Sequence, residues 1–228
     1  MVYGEVGKFP LQVTVDKYMI NYWLRLLNKE ENTLVFIVYK IAMNLFSRGE
    51  YESLWLCKVK CILDNCGLSY MWLDQDNLDT VQCKLLIHKR IEDISLQQWF
   101  TDIANSSMCI YYRLFKKQFG FEKYLLNYNY KDRISLTKFR CANIRLPVYN
   151  QIYMYDTDKC ILCDRNVCGD EYHYIFICPF FSQTRKTYLK RHYYNMPSIS
   201  KYEELFSSTN KSIISKLLTF IKIILQHF

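Results

Sequence analysis

The chain has 228 residues, of which half are hydrophobic and 17% are aromatic, and this content excludes an intrinsically disordered protein. Only six glycines and four prolines argue against a turn-rich β fold, and the net charge of +8 favours a polyanionic partner. Ten cysteines without a secretory signal indicate reduced thiols in an intracellular protein. The most apolar segment, residues 213–228, contains two lysines and is too short to span a bilayer, so no membrane partner is expected.

Residues 1–112 predict a series of packed helices. The apolar periodicity predicts helices over about 10–28, 33–46, 51–66 and 78–93, with another beginning at Ser95. Pro10 suits the first turn of a helix, and Gly67 suits the position just after one. The apolar side of the first helix would carry Tyr18, Tyr22, Trp23 and Leu26.

Aromatic and cationic residues alternate between residues 111 and 130, and a basic helix is predicted from Asp132 or Ser135. Cations can bind phosphates while exposed rings stack on bases. The alternative is an amphipathic segment with its rings inside and its lysines solvated. We favour that alternative for the rings, and phosphate binding for the cations.

The most informative segment is Cys160-Ile-Leu-Cys163, followed after nine residues by His173 and after four more by Cys178. Two cysteines two residues apart can grip one metal ion from a tight turn, and a His and a Cys about one helical turn apart complete a tetrahedral Zn²⁺ site. Four protein ligands leave no open position, which is typical of a structural rather than a catalytic zinc. The alternative is a chance spacing of four buried residues.

The residues around this motif favour metal binding. Asp170 can cap a short helix that starts at Glu171. On an ideal α-helix His173 and Cys178 lie about 140° apart, so the helix must end at Cys178, and Pro179 supplies that ending. Cys168 is a rival for Cys178 as the fourth ligand, and His192 is a weaker rival that we expect on an exposed helix face.

Positive charge is concentrated on both sides of the motif: residues 113–145 have a net charge of +7 and residues 179–228 have +6. Such blocks suit phosphate binding, because neutralising phosphates releases counterions. The candidate nucleic-acid contacts are Arg113, Lys116, Lys117, Lys138, Arg140, Arg145, Arg185, Lys186, Lys190 and Arg191. We expect Lys186 and Lys190 to form a cationic row on one helical face.

Three stretches carry a family resemblance. They are Tyr3-Gly4-Glu5-x-Gly7-x-Phe9-Pro10-Leu11, Arg140-x2-Asn143-x2-Leu146-Pro147, and the cysteine motif with Gly169-Asp170-Glu171-x-His173-Tyr174 and Cys178-Pro179. Together they resemble the region C-terminal to the polymerase in reverse transcriptases of LINE-type (non-LTR) retrotransposons, which ends in the reverse-transcriptase zinc-binding domain. The resemblance implies a segment downstream of the polymerase thumb that starts at an internal Met1. It also implies a role in holding template RNA or target DNA.

Catalytic motifs are missing from the sequence. No two aspartates are adjacent, so the paired aspartates that bind polymerase Mg²⁺ are absent, and Glu203-Glu204 are the only acidic residues after Cys178. Neighbouring carboxylates on a helix diverge by about 100°, which makes a poor metal clamp. We therefore expect no enzymatic activity and no small-molecule substrate. A thiol redox protein built on Cys160-x2-Cys163 is a further alternative, but the residues before the motif do not favour a strand.

The sequence thus predicts a mainly α protein: a helical region over 1–150, then a Cys-Cys-His-Cys finger with C-terminal helices over 151–228. One structural Zn²⁺ is the predicted cofactor. RNA or DNA, and the polymerase part of the same element, are the predicted partners in a nuclear or cytoplasmic ribonucleoprotein. The alternative function is a structural or protein-interaction module without nucleic-acid binding.

Overall fold

The structure is a computed structural model that describes residues 1–149 and 158–228. Its described residues are mainly α-helical and contain no extended strand, as predicted. They divide into two compact units: a helical unit of residues 9–100, and a second unit of residues 1–8 and 101–228. The second unit contains the four candidate metal ligands and is named the metal-bearing unit after them. No helix among the described residues is long and apolar enough to cross a membrane.

The helices are numbered here in chain order. They are α1 (Val2–Val6), α2 (Leu11–Leu27), α3 (Leu34–Ser47), α4 (Leu54–Asn65), α5 (Tyr70–Leu73), α6 (Thr80–Asn105), α7 (Tyr112–Phe115), α8 (Tyr124–Asn127), α9 (Tyr130–Arg140), α10 (Ser182–Tyr188), α11 (Arg191–Tyr194), α12 (Ile199–Ser207) and α13 (Lys211–Leu225). Short 3₁₀ turns lie at Ser107–Cys109, Pro147–Tyr149 and Pro179–Phe181, and a π-helix spans His173–Ile177.

The first helices agree closely with the prediction. Helix α2 begins directly after Pro10, and α4 is followed by Gly67 with a φ of +70°, the left-handed geometry that glycine accepts without strain. The two helices predicted over 78–93 and from Ser95 are a single helix, α6. Neither Gly nor Pro interrupts residues 80–105, so Ser95 alone does not break the helix.

The helical unit is built on an apolar interior. Trp23 is fully buried, stacks on Trp72 at 6.3 Å between ring centroids, and donates from Nε1 to the Tyr39 hydroxyl at 2.9 Å. Leu26 is also buried, as predicted for this face, whereas Tyr18 and Tyr22 are exposed. The apolar side of α2 is therefore narrower than the sequence pattern indicated.

The metal-bearing unit joins the first eight residues to the C-terminal half of the chain. Buried Glu5 accepts from Arg140 Nε at 3.0 Å and Nη2 at 3.1 Å, and it also accepts from the Tyr124 hydroxyl at 2.5 Å. Gly7 has a φ of +60°, and a Cβ there would lie 2.4 Å from the backbone nitrogen of Phe121. Two features of the N-terminal motif, Glu5 and Gly7, thus have structural explanations.

The predicted domain boundary at residues 150–151 lies outside the described residues. On the described residues, however, segments 101–149 and 158–228 belong to one compact unit and share one hydrophobic core. Helix α9 packs on α13, and α13 also packs on α10. The division into compact units therefore differs from the division at residue 150, because the finger is too small to bury a core of its own and shares one with the helices around it.

Candidate metal centre

The first two candidate ligands lie in a tight loop closed by backbone hydrogen bonds. Lys159 and Cys168 form an isolated antiparallel bridge, and the Cys160 amide donates to the Val167 carbonyl at 2.8 Å. Asn166 turns the chain with a φ of +53°, a conformation that Asn tolerates better than most residues. The amide of Leu162 lies 3.4 Å from Cys160 Sγ and donates to it, so the loop presents that sulfur with a backbone donor already in place.

The second pair of ligands lies on the segment after this loop. The Asp170 carboxylate accepts from the His173 amide at 2.7 Å, which confirms the predicted cap. The turn then widens into a π-helix, in which the Cys178 amide donates to the His173 carbonyl at 2.7 Å. This hydrogen bond, from residue i to residue i−5, brings together the side chains of His173 and Cys178, which an ideal α-helix would separate. The helix ends at Cys178, whose ψ of 122° is extended, before Pro179.

All four predicted ligands converge. Cys160, Cys163, His173 and Cys178 offer ligand atoms that lie within 4.8 Å of one another. The sulfurs of Cys160 and Cys178 are 3.9 Å apart, and Cys163 Sγ is 3.5 Å from His173 Nε2. Bond lengths of about 2.3 Å for Zn–S and about 2.05 Å for Zn–N would separate tetrahedral ligands by about 3.8 Å (S to S) and about 3.6 Å (S to N). The cluster can therefore hold a metal ion, and these two measured separations are close to those of a tetrahedral Zn²⁺ site.

Burial affects the protonation of two of these ligands. It lowers the pKa of His173, which favours the neutral imidazole that a metal requires. Burial also raises the pKa of the Cys178 thiol to about 12, so this sulfur becomes a thiolate near neutral pH only beside a cation. A divalent metal held by the four residues would supply that cation and would balance two of the three thiolate charges.

A buried arginine supports the π-helix that carries His173 and ends at Cys178. Arg185 Nε donates to the Ile175 carbonyl at 2.7 Å, and Nη2 donates to the carbonyls of Cys178 at 2.9 Å and Tyr174 at 3.3 Å. Its guanidinium thus orders the π-helix and its end, and its positive charge offsets the −1 that three thiolates and one divalent metal would leave. A cation placed shortly after the last cysteine is the sequence signal that could have revealed this role.

The backbone packs closely at Gly169, next to the metal cluster. A Cβ on Gly169 would lie 2.7 Å from the Tyr174 hydroxyl and 3.1 Å from the Cys160 Cα, so only glycine fits there. Tyr111 packs on the hydrophobic core of the metal-bearing unit and donates to the Asp170 carboxylate, which links the helix cap to that core.

The two rival ligands are not part of the cluster. Cys168 contributes its backbone to the bridge with Lys159, and its sulfur is not among the converging atoms. His192 is exposed on α11, and its Nε2 lies 2.9 Å from a Glu204 carboxylate oxygen. The neighbouring Glu203 pairs with Lys117 at 3.4 Å. The two adjacent glutamates thus have separate partners.

Three of the predicted phosphate-binding cations are buried, and we withdraw them from the candidate interface. Arg140 pairs with Glu5 and Glu122, and Lys116 pairs with Glu122 and the Gly120 carbonyl. Arg185 donates to carbonyls of the π-helix and of Cys178. Removing these groups from their partners would leave buried charges uncompensated, so they serve the core rather than a ligand.

The other predicted cations are exposed. They are Arg113, Lys117, Lys138, Arg145, Lys186, Lys190 and Arg191. Arg113 donates to the Ala104 carbonyl at 2.9 Å, and Lys117 makes the exposed ion pair described above. Lys186 and Lys190 do not share one helix, because α10 ends at Tyr188 and Lys190 caps α11, so the predicted helical row is wrong in its geometry.

Lys186 and Lys190 nevertheless line the same concave surface, with a lysine that the sequence analysis missed. Together with Lys216 of α13 they border a hollow of about 210 Å³, which also contains Ser212 and is here named the lysine hollow. No acidic side chain lines the lysine hollow, and none of its three lysines forms an ion pair in the described part of the chain. No local pattern links residues so far apart in sequence, so only the fold reveals this convergence.

The comparisons with known proteins do not identify a family: no protein-family model, curated protein or solved structure matches this chain.

Proposed function

We propose that the chain is a nucleic-acid-binding module stabilised by one structural Zn²⁺ at Cys160, Cys163, His173 and Cys178. The choice of zinc rests on the ligand set and spacing, since three thiolates and one imidazole within tetrahedral distances suit Zn²⁺ better than the oxygen-preferring Mg²⁺ or Ca²⁺. Four protein ligands leave no position for substrate, so the metal has a structural role. The proposal that the chain carries no polymerase or nuclease activity rests separately on the lack of adjacent aspartates in its sequence.

One observation carries the binding function: three exposed lysines without ion pairs line a single hollow in the described metal-bearing unit. Like charges that border one hollow repel one another in the free protein, and phosphates relieve that repulsion. Lysine offers three N–H donors to phosphate oxygens at each contact. The partner that fits best is therefore a phosphate backbone, either RNA or DNA.

The resemblance to the zinc-binding end of LINE-type reverse transcriptases suggests the biological context of this binding. In that setting the chain holds template RNA or target DNA for a polymerase that lies elsewhere, inside an intracellular ribonucleoprotein. Glu5, Gly7, Arg140 and the finger residues, which carry much of the resemblance, all lie in the metal-bearing unit. The exposed Arg191 adjoins the lysine hollow in sequence and adds to its positive field.

The test is the salt dependence of affinity for a structured RNA and a nicked DNA duplex. Replacing Lys186, Lys190 and Lys216 with Ala should reduce the slope of log affinity against log salt by about two to three, since each phosphate contact contributes about 0.7–0.9. A matched control replaces Lys60, Lys84 and Lys89, which are exposed in the helical unit, and should leave the slope almost unchanged. Equal slopes for the wild type and the first variant would contradict the proposal.

A second candidate function, a protein-interaction module, is favoured by a different feature. Helix α3 buries only Tyr39 and exposes five aliphatic side chains: Leu34, Val35, Ile37, Val38 and Ile41. An apolar surface on this scale is typical of a protein contact. Tight binding to a polymerase segment, combined with no salt-sensitive affinity for nucleic acid, would favour this function over the first.

A further inference from the structure

The metal-bearing unit contains a second concavity, distinct from the metal cluster and the lysine hollow. It is a cavity of about 380 Å³ bordered by α8, α9, the end of α12 and the start of α13. Its volume lies within the range of pockets that bind small organic groups, about 300–1,000 Å³. We name it the aromatic cavity, because aromatic rings form much of its wall.

Two of these rings are available to a ligand. Phe121 is 50% exposed and Tyr128 is partly exposed, and neither stacks on another ring in the described chain. Tyr128 packs one side against the core and donates from its hydroxyl to the Lys211 carbonyl at 3.4 Å, so its position is fixed while part of its ring stays open. By contrast, Phe115 and Phe206 in the same wall stack on each other at 5.4 Å. The wall of the aromatic cavity therefore combines one stacked ring pair with two rings that have no aromatic partner and can accept a flat one.

The polar groups of the aromatic cavity divide in the same way. Glu122 and Arg140 line it, but they form an ion pair with each other, and Arg140 also pairs with Glu5. The side chains of Lys123, Asn127 and Lys211 also line it, and none of them has a hydrogen-bond or ion-pair partner within the described residues. The free groups thus consist of two cations and one amide with both donors and an acceptor.

That combination matches one nucleotide unit. An aromatic base has a flat face for Phe121 and Tyr128 and an edge that the Asn127 amide can pair with, and its phosphate suits Lys123 and Lys211. Aromatic stacking with nearby cations is the usual way in which proteins hold single strands. A purely apolar ligand would leave both lysines unused, and inorganic phosphate would leave both rings unused.

The position of the aromatic cavity relative to the lysine hollow supports this reading. Both border the first turns of α13: Lys211 lines the cavity and Lys216 lines the hollow. Five residues along an α-helix correspond to a rotation of about 140°, so the two features lie on different sides of the same helix end. A strand with phosphates in the hollow can cross this end and place a base in the cavity.

We propose that the aromatic cavity binds one unpaired base of a single-stranded nucleic acid whose backbone contacts the lysine hollow. This inference rests on the proposed nucleic-acid function and adds to it a requirement for a base. The lysine hollow alone would bind any phosphate backbone. With the aromatic cavity, the protein would distinguish a strand with exposed bases from one without them.

The test compares a single-stranded oligoadenylate of about eight nucleotides with an abasic strand of equal length and charge. The wild type should bind the base-bearing strand about ten- to a hundredfold more tightly, the range expected for stacking of one base. Phe121→Ala removes a half-exposed ring, and Asn127→Leu removes an exposed amide without adding a ring. Phe121→Ala should lower the affinity for oligoadenylate to that for the abasic strand, Asn127→Leu should lower it part of the way, and both should leave the abasic affinity unchanged.

A matched control is Phe180→Ala, which removes an equally exposed ring (52%) that lines neither concavity and should change neither affinity. Equal wild-type affinity for both strands would overturn the aromatic cavity as a base site. So would a loss in Phe121→Ala that is the same for both strands. If binding of the abasic strand still depends on salt and on the three lysines, the proposed function stands without this inference. If neither strand binds, both fail.

Discussion

The two compact units are stabilised by different kinds of interaction. In the described chain all six buried polar or charged residues belong to the metal-bearing unit: Glu5, Lys116, Arg140, Glu171, His173 and Arg185. The helical unit buries apolar side chains, with Tyr39 among its few hydrogen-bonded interior groups. Apolar packing is non-directional, whereas buried charges require particular partners. The metal-bearing unit should therefore tolerate fewer single substitutions.

The largest effect should come from the metal cluster. Cys163→Ser should remove the bound metal and destabilise the metal-bearing unit, because a structural Zn²⁺ contributes on the order of 10 kcal/mol to folding. Metal analysis of protein purified without added zinc should give about one equivalent per wild-type chain and almost none in the variant. Cys168→Ser is the matched control, since that thiol lies outside the cluster, and it should keep its metal. Full metal retention in Cys163→Ser would refute the ligand assignment.

A smaller but still large effect is expected at the buried ion pair. Glu5→Ala removes two hydrogen bonds from the buried Arg140 guanidinium and leaves much of its charge unpaired. It should lower the free energy of unfolding by about 3–5 kcal/mol. The double variant Glu5→Leu with Arg140→Met should recover most of that loss, because it removes both charges. Ile87→Val in the helical unit, a conservative change at a buried site, should cost about 0.5–1.5 kcal/mol.

Urea unfolding, followed by circular dichroism, measures all three variants. An effect of Glu5→Ala no larger than that of Ile87→Val would show that the proposed contrast between the units is wrong. Equal losses in the single and double variants would show that lost packing, rather than an unpaired charge, causes the destabilisation. Metal content should remain near one equivalent in each, since none of these residues is a ligand.

The sequence predicted the metal ligands because the information is local. The two cysteines lie in one turn, Asp170 caps the next, and Pro179 ends the helix after Cys178. The π-helix itself was not predicted, although the need to bring His173 and Cys178 together implied some departure from ideal α geometry. The boundaries of α2 and α4 were also close, because Pro10 and Gly67 mark helix ends in the sequence.

The role of the cations could not be predicted in the same way. Adjacent residues on a helix face about 100° apart, so Arg185 is buried while Lys186 is exposed, although their sequence context is the same. The partner of Arg140 is Glu5, 135 positions away, and no local pattern indicates that pairing. Lys216 joins Lys186 and Lys190 only because α13 packs on α10. A charge count therefore indicated the partner class but not the residues that contact it.

Hydrogen exchange measured before and after chelation of the metal tests the central claim most directly, because it reports on both units of the full chain at once. The account predicts that chelation removes protection from the amides of α9, α10 and α13 and from the π-helix, which share the core around the metal cluster. The amides of α2 and α4, in the helical unit, should keep their protection. Unchanged exchange throughout the chain after the metal is removed would contradict a structural metal at Cys160, Cys163, His173 and Cys178.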